Sequence, residues 1–215
     1  MIFNDLGLIS YNEALEIQLE AVHEVLQGND ERVFLLEHYP VITLGRNQSR
    51  EGLLVDAKHL YGQGIKLEQS SRGGDITCHF PGQLVVYPVV RIAKQVKGIS
   101  VFFNKLEQLV INLLGKYNVK SARLQGMAGV YTNNGKIASM GIAVKKWVSY
   151  HGIALNLGRD LSLFDYINPC GFAHVRMTSI HRELKSDCPD MATLKNDFCQ
   201  EFSFMFGYMN HQTRG

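Results

Sequence analysis

One stretch restricts this 215-residue chain more than any other: Arg72-Gly73-Gly74-Asp75-Ile76-Thr77-Cys78-His79-Phe80-Pro81-Gly82-Gln83, running straight into Leu84-Val85-Val86-Tyr87-Pro88. Residues Leu84 to Val90 are apolar nearly throughout, as a strand covered on both faces would be. Just before them, three glycines and a proline fall within eleven residues. Paired glycines let backbone approach a guest closely, adopt positive φ and present N–H groups to it. A loop that merely joined strands would need neither the guanidinium of Arg72 nor the imidazole of His79. A glycine-rich hairpin corner with a hydrogen-bonded histidine stays open on this stretch alone.

Around that centre the chain alternates strand and helix signals. Ile2 to Ile9 reads as a strand, and Ser10 with Glu13 forms a capping box. Tyr11, Leu15, Leu19, Val22 and Leu26 recur at helical spacing until Gly28-Asn29-Asp30. Val33 to Glu37, Val41 to Leu44 and Ile65 to Glu68 are short β runs, the last preceded by an Asp56-capped helix toward Tyr61. From Ser100, the residues Phe102, Leu106, Leu109, Val110, Leu113, Leu114 and Tyr117 form a broad apolar stripe, which is core packing. Asn133-Asn134-Gly135 predicts a hairpin with a type I′ turn, and a second turn at Lys145-Lys146 leads into Val148 to Leu157, a three-strand antiparallel meander. Asp190 to about Met209 reads as a closing helix with Leu194, Phe198, Phe202 and Met205 inward. Antiparallel hairpins with few βαβ repeats predict an α+β class, with mixed and antiparallel sheets packed with helices.

Composition excludes several alternatives. No break suggests a second unit, so one domain over residues 1–215 is expected. A net charge of +2 gives no reason to expect nucleic acid, and no apolar run approaches a membrane span. Cys78, Cys170, Cys188 and Cys199 show neither CxxC pairing nor metal spacing, so reduced thiols and no metal site are expected. Met1-Ile2-Phe3-Asn4-Asp5 has neither a basic start with an apolar core nor an Arg/Ser-rich presequence, which predicts a soluble, cytoplasmic protein.

Four further segments complete a pattern: Leu36 to Arg46, Lys136-Ile137-Ala138-Ser139-Met140-Gly141, His151-Gly152-Ile153-Ala154-Leu155-Asn156 and Pro169-Cys170-Gly171. With Arg72 to Pro88 and in this order, from about Leu35 to about Ser179, they resemble the lipoyl(octanoyl) transferases of the biotin/lipoate protein ligase superfamily. Position 78 is Cys where that family usually has an aromatic residue, and position 80 is Phe where it usually has Gly. The resemblance implies a biotin/lipoate protein ligase-like fold and a catalytic dyad of Cys170 and Lys136. It implies octanoyl-acyl carrier protein as donor. Lipoyl domains of 2-oxoacid dehydrogenase complexes and the glycine cleavage H protein would be the acceptors, with no cofactor. Arg72, Gly73, Gly74, His79, Gly141, His151, Gly152 and Ala154 would then surround the substrate.

The residues themselves support part of this. Pro169 and Gly171 fix the backbone beside Cys170 and leave space at its sulfur, and a thiol accepts a thioester acyl group almost isoenergetically. Cys188 and Cys199 read as inert, buried thiols. Lys136 directly follows a turn, where lysines are usually solvated, yet the segment after it alternates like a buried strand; a partly buried lysine can move protons near neutrality. His79 is expected to line an acyl pocket and His151 to support it. Arg72 should buttress the loop or meet a pantetheine phosphate, and Gly73 and Gly74 could offer N–H groups to an oxyanion. Thr178-Ser179 reads as surface polarity or as a partner of the thiol, and Lys145-Lys146 as a solvated tip. Phe80 is expected to shorten the acyl tunnel if its ring points inward.

Three alternatives share these features. An ATP-dependent lipoate–protein ligase would use Lys136 without a nucleophilic cysteine. A non-catalytic acyl- or lipoyl-domain-binding protein would use neither. A cysteine hydrolase would pair Cys170 with His151.

Overall fold

Two sheets organise the structure, a computed structural model that describes residues 1–46, 52–95, 98–168, 175–184 and 186–207. The strands are β1 (Ile2–Ile9), β2 (Arg32–His38), β3 (Val41–Leu44), β4 (Lys66–Gln69), β5 (Ile76–His79), β6 (Gln83–Val89), β7 (Ala122–Leu124), β8 (Met127–Thr132), β9 (Gly135–Lys145) and β10 (Val148–Asn156). The larger sheet runs β1-β2-β6-β10-β9-β8-β7 and the smaller β4-β3-β5. The helices are α1 (Tyr11–Leu26), α2 (Ala57–Gly62), α3 (Ile92–Gln95), α4 (Ile99–Lys116), α5 (Ile180–Leu184) and α6 (Met191–Phe206). Pairing is mostly antiparallel, with parallel exceptions at β1–β2 and β3–β4, so the class is α+β.

The strand after the glycine-rich stretch is covered on both faces, as its apolar run predicts. Leu84 and Val86 of β6 join Val33 and Leu35 of β2 in the core beneath α4 and α6. Val85, Tyr87 and Val89 join Phe34 and Leu36 beneath α1. Each such side chain, fully removed from water, contributes about 1.5–3 kcal/mol. A third cluster gathers Ile42, Leu44, Ile76, Cys78 and Phe80 from the small sheet with Leu161, Leu163 and Phe164 around a 3-10 turn at Ser162–Tyr166.

Local signals explain most boundaries. The Ser10 hydroxyl accepts the Glu13 N–H at 3.3 Å while Glu13 accepts the Ser10 N–H at 3.2 Å, closing the capping box. The α4 stripe from Phe102 to Leu114 is buried as its spacing predicts. The buried face of α1 is rotated from the predicted one, because Leu19 is 41% exposed while Ala14, Gln18 and Ala21 face the sheet. Small alanines allow close approach, and Gln18 enters because its Oε1 accepts the His151 N–H at 2.8 Å.

One turn differs from expectation in type and another in place. The Asn133-Asn134 hairpin forms, but neither asparagine has positive φ, so it is not type I′. The Thr132 hydroxyl accepts the Asn134 N–H at 3.1 Å, and Asn134 donates to Glu183 at 3.0 Å, which holds the tip otherwise. Left-handed geometry falls instead on Lys146 and Trp147, φ 49° and 66°, at the exposed tip between β9 and β10.

Candidate active site

A cavity of about 260 Å³ opens between the two sheets, at the small end of the range for ligand pockets. It is lined by Arg72, Gly74, His79, Lys136, Gly141, His151, Gly152 and Ala154, which come from three regions of the sequence. Gly73 does not line it; its N–H donates to the Ile142 carbonyl at 2.9 Å, so that amide is committed to the sheet. Cys170 lies outside the described residues.

The floor is a pair of glycines. Gly141 of β9 and Gly152 of β10 are cross-strand partners. A Cβ on Gly141 would stand 2.7 Å from the Gly73 carbonyl oxygen, so the Arg72–Gly74 strap rests where a side chain would otherwise be. A Cβ on Gly152 would stand 2.4 Å from the Val86 oxygen and 2.7 Å from Pro88 Cδ. Pro88 has no N–H to give β10, and the ladder between β6 and β10 ends at Val86–Ile153. At that point β10 turns through His151, whose φ of 56° is left-handed. The kink delivers His151 to the cavity wall.

The strap is held on its other side by β3. Gly45 N–H donates to the Asp75 carbonyl and Arg46 N–H to the Arg72 carbonyl, each at 3.0 Å. The Arg72 guanidinium turns into the protein, its Nη2 donating to the Thr43 carbonyl at 2.8 Å and hydroxyl at 2.9 Å. Arg72 thus braces the loop against β3.

A one-way chain of donors fixes His79. The Thr178 carbonyl accepts Asn156 Nδ2–H at 3.0 Å, so Asn156 Oδ1 faces Gln83 and accepts its Nε2–H at 2.9 Å. Gln83 Oε1 then accepts His79 Nδ1–H at 2.7 Å. Burial, with His38 nearby, holds the His79 imidazole well below its ordinary pKa, so it is neutral and Nε2 keeps its lone pair. His38 is likewise neutral: burial lowers it to about 4, its Nδ1–H donates to the Ile9 carbonyl and its Nε2 accepts the Tyr87 hydroxyl at 2.8 Å. His151, lowered to about 3 by burial and then by the Arg72 charge, completes a neutral trio. Tyr11 stacks between His79 and His151, with ring centroids 6.4 and 6.3 Å away, and donates its hydroxyl to Ser70 at 2.7 Å.

Lys136 takes the buried of its two expected settings, at 1% exposure. Its Nζ stands 5.5 Å from the centre of the Tyr131 ring. Its backbone N–H donates to Arg176 at 2.8 Å and its carbonyl accepts Thr178 N–H at 2.9 Å, so the chain following Cys170 pairs with β9 at this residue. Thr178 and Ser179 are buried rather than surface polar groups; Thr178 donates to Glu183 at 2.6 Å and the Ser179 hydroxyl accepts the Arg182 N–H.

Phe80 does not reach the cavity. Strand alternation sends Thr77 and His79 to it and Cys78 and Phe80 to the opposite face, where Phe80 meets Phe164 edge-on with centroids 5.6 Å apart. Tyr11, His38, Gln83 and Asn156 are among the site residues that the sequence motifs left without a role. Gln83 and Asn156 lie inside the recognised segments, so their polarity within apolar runs was a usable signal; Tyr11, in the first turn of a helix, gave none. Among the described residues no group of three His, Cys, Asp or Glu side chains could hold a metal, and no helix is long and apolar enough to cross a membrane.

Residues 10–203 match the lipoyl protein ligase A/B catalytic domain family. A protein of Nitratidesulfovibrio vulgaris (strain Miyazaki F) named octanoyltransferase is 51% identical over 202 residues, 94% of this chain and 93% of its own length. The fold is shared with lipoate-protein ligase A bound with ATP, at TM-score 0.76 and 17% identity over 96% of this chain and 86% of that one. It is shared also with the bi-partite lipoate protein ligase of Thermoplasma acidophilum, at TM-score 0.75 and 17% identity over 96% and 83%. At the sequence level the relationship is much tighter than these folds alone, and the chain belongs to the lipoyl(octanoyl) transferases within the lipoyl protein ligase A/B catalytic domain family.

Proposed function

We propose that this chain transfers an octanoyl group from the phosphopantetheine thiol of acyl carrier protein to the ε-amine of a lysine on a lipoyl domain, through a thioester on Cys170. The observation that carries this reading is the small cavity with buried Lys136 and neutral His79 in its wall, in a chain so similar to a named octanoyltransferase. The segment following Cys170 pairs with β9 at Lys136, which supports assigning the two residues to one dyad.

In the first half-reaction Cys170 Sγ gives its proton to Lys136 Nζ and attacks the donor's thioester carbonyl. The bond to the pantetheine sulfur breaks, and that thiolate recovers the proton from Lys136. In the second, the acceptor amine attacks the Cys170 thioester, Lys136 takes the amine's proton, and Cys170 leaves as thiolate. Thioester to amide is downhill, so no ATP enters. Six acyl methylenes buried in the cavity provide about 5 kcal/mol for positioning the carbonyl. The neutral imidazoles put no charge beside that tail. With Gly73 committed to the sheet, Gly74 is the amide of the pair to assign to the oxyanion.

Intact-protein mass spectrometry after incubation with octanoyl carrier protein tests the reading. The expected result is one octanoyl adduct that peptide mapping places on Cys170, absent from Cys170→Ala and discharged by added lipoyl domain. An adduct on Cys78 or Cys188, or acylation of the lipoyl domain only when ATP and free octanoate are supplied, would overturn it. Discharge at the same rate without the lipoyl domain would mark a hydrolase.

A further inference from the structure

α4 carries one carboxylate into the core. Glu107 is 4% exposed and shares its helix with the buried Leu106, Leu109 and Val110. A carboxylate that far from water persists only where its oxygens are satisfied. Oε1 accepts the Gly129 N–H at 2.9 Å and Oε2 accepts Arg123 Nε–H at 3.0 Å. Arg123 is pinned in turn, donating to the Asn104 carbonyl at 2.6 Å and to Gln108 Oε1 at 3.0 Å. The ion pair fixes the carboxylate, and the carboxylate fixes one peptide plane on β8.

That peptide is the one against which Lys136 lies. Gly129 has φ of +117°, and a Cβ there would stand 2.7 Å from Lys136 Cε and 3.3 Å from its Nζ. The β8–β9 ladder is irregular at the next step: Val130 pairs with Ala138 but Tyr131 with Lys136, so Ile137 is extra on β9. Such a bulge re-aims a side chain, and here the side chain crosses Gly129 into the cavity. Packing alone would be served by Leu or Met at position 107. The acid instead holds a backbone that lies against the end of the lysine.

We infer that Glu107 is a positioning residue for Lys136, holding the Gly129 backbone on which the lysine's terminal carbon and nitrogen rest. The inference depends on the reading of Lys136 as proton carrier. The test measures single-turnover acylation of Cys170 by octanoyl carrier protein in wild type, Glu107→Ala and Glu107→Gln. Glu107→Ala is expected to slow acylation about tenfold or more, the scale of a misplaced catalytic group. Half-saturation by the donor should stay within about threefold, because uniform binding is untouched. Glu107→Gln keeps an oxygen for the Gly129 N–H and is expected to restore the rate.

Acylation by Glu107→Ala at the wild-type rate, or a loss lying wholly in half-saturation, would overturn the inference. If Glu107→Ala does not fold, Glu107→Met, which keeps the packing but not the acceptor, decides, and acylation at the wild-type rate there overturns it as well. No Cys170 adduct in wild type would instead overturn the proposed function, so the two failures are separable.

Discussion

Phe80 shows how far a single residue can be read. The sequence places a ring where the resembling family usually has Gly, and beside His79 that suggests a shortened acyl tunnel. In the structure the ring belongs to the third core cluster, 7% exposed and edge-on to Phe164. Phe80→Ala is therefore expected to lower stability by about 3–5 kcal/mol while leaving the acyl chain-length preference unchanged. Urea unfolding and transfer rates with hexanoyl to dodecanoyl carrier proteins check the two halves separately; a shift toward longer chains would return the ring to the cavity. Cys78 shares that face, and burial pushes its thiol well above the ordinary range, so it should stay unmodified by acyl donors. Residues whose polarity interrupts an apolar run, such as His79 and Lys136, could be picked out from sequence. The direction of Phe80 was harder to read, because alternation from His79 fixes it only if the strand runs on through position 80, and the Pro81-Gly82 turn blurs that end.

At the scale of elements, most strands, helices and caps were legible because their causes are local: a capping box, an apolar stripe, a turn. The kink in β10 was not. His151 adopts φ of 56° with no glycine or asparagine to announce it. Its cause lies on β6, where Pro88 ends the ladder and Gly152 gives way to the proline ring and the Val86 carbonyl. A cause on a neighbouring strand leaves no signature at the residue it bends. Gly152→Ala would set a methyl against backbone and a proline, neither of which can rotate aside. The expected outcome is a loss of about 1–3 kcal/mol with β10 pushed off β6. His151 should move with it, and acyl transfer should fall more than stability alone requires at 25 °C. Calorimetry alongside single-turnover rates checks this, and a variant with wild-type rates would mean that the kink does not set the histidine's place.

Among the described residues of the whole molecule, three uncharged imidazoles, His38, His79 and His151, lie buried between the two sheets, and the consequence is a pH dependence of folding. Each has a folded-state pKa below the ordinary 6.5, to about 4 for His38 and about 3 for His151, chiefly because burial disfavours the charged form. The unfolded chain therefore binds protons that the folded one refuses. Stability is full above pH 6.5 and falls as pH drops from there toward the folded values. In that window each histidine removes about 1.4 kcal/mol per pH unit, so the trio can make the slope about 4 kcal/mol per unit near pH 5. The lowered carboxylates, Asp5, Glu13, Asp160 and Asp190, act in the same direction but titrate below their ordinary values near 4, so they leave the interval from pH 5 to 6.5 to the histidines. Urea midpoints at pH 7.5, 6.5, 6.0, 5.5 and 5.0 give the slope, and His38→Gln should lower it by about one proton's worth. A protein equally stable at pH 7.5 and 5.0 would mean that the imidazoles are protonated without cost, and the neutral lining of the cavity would have to be abandoned with them.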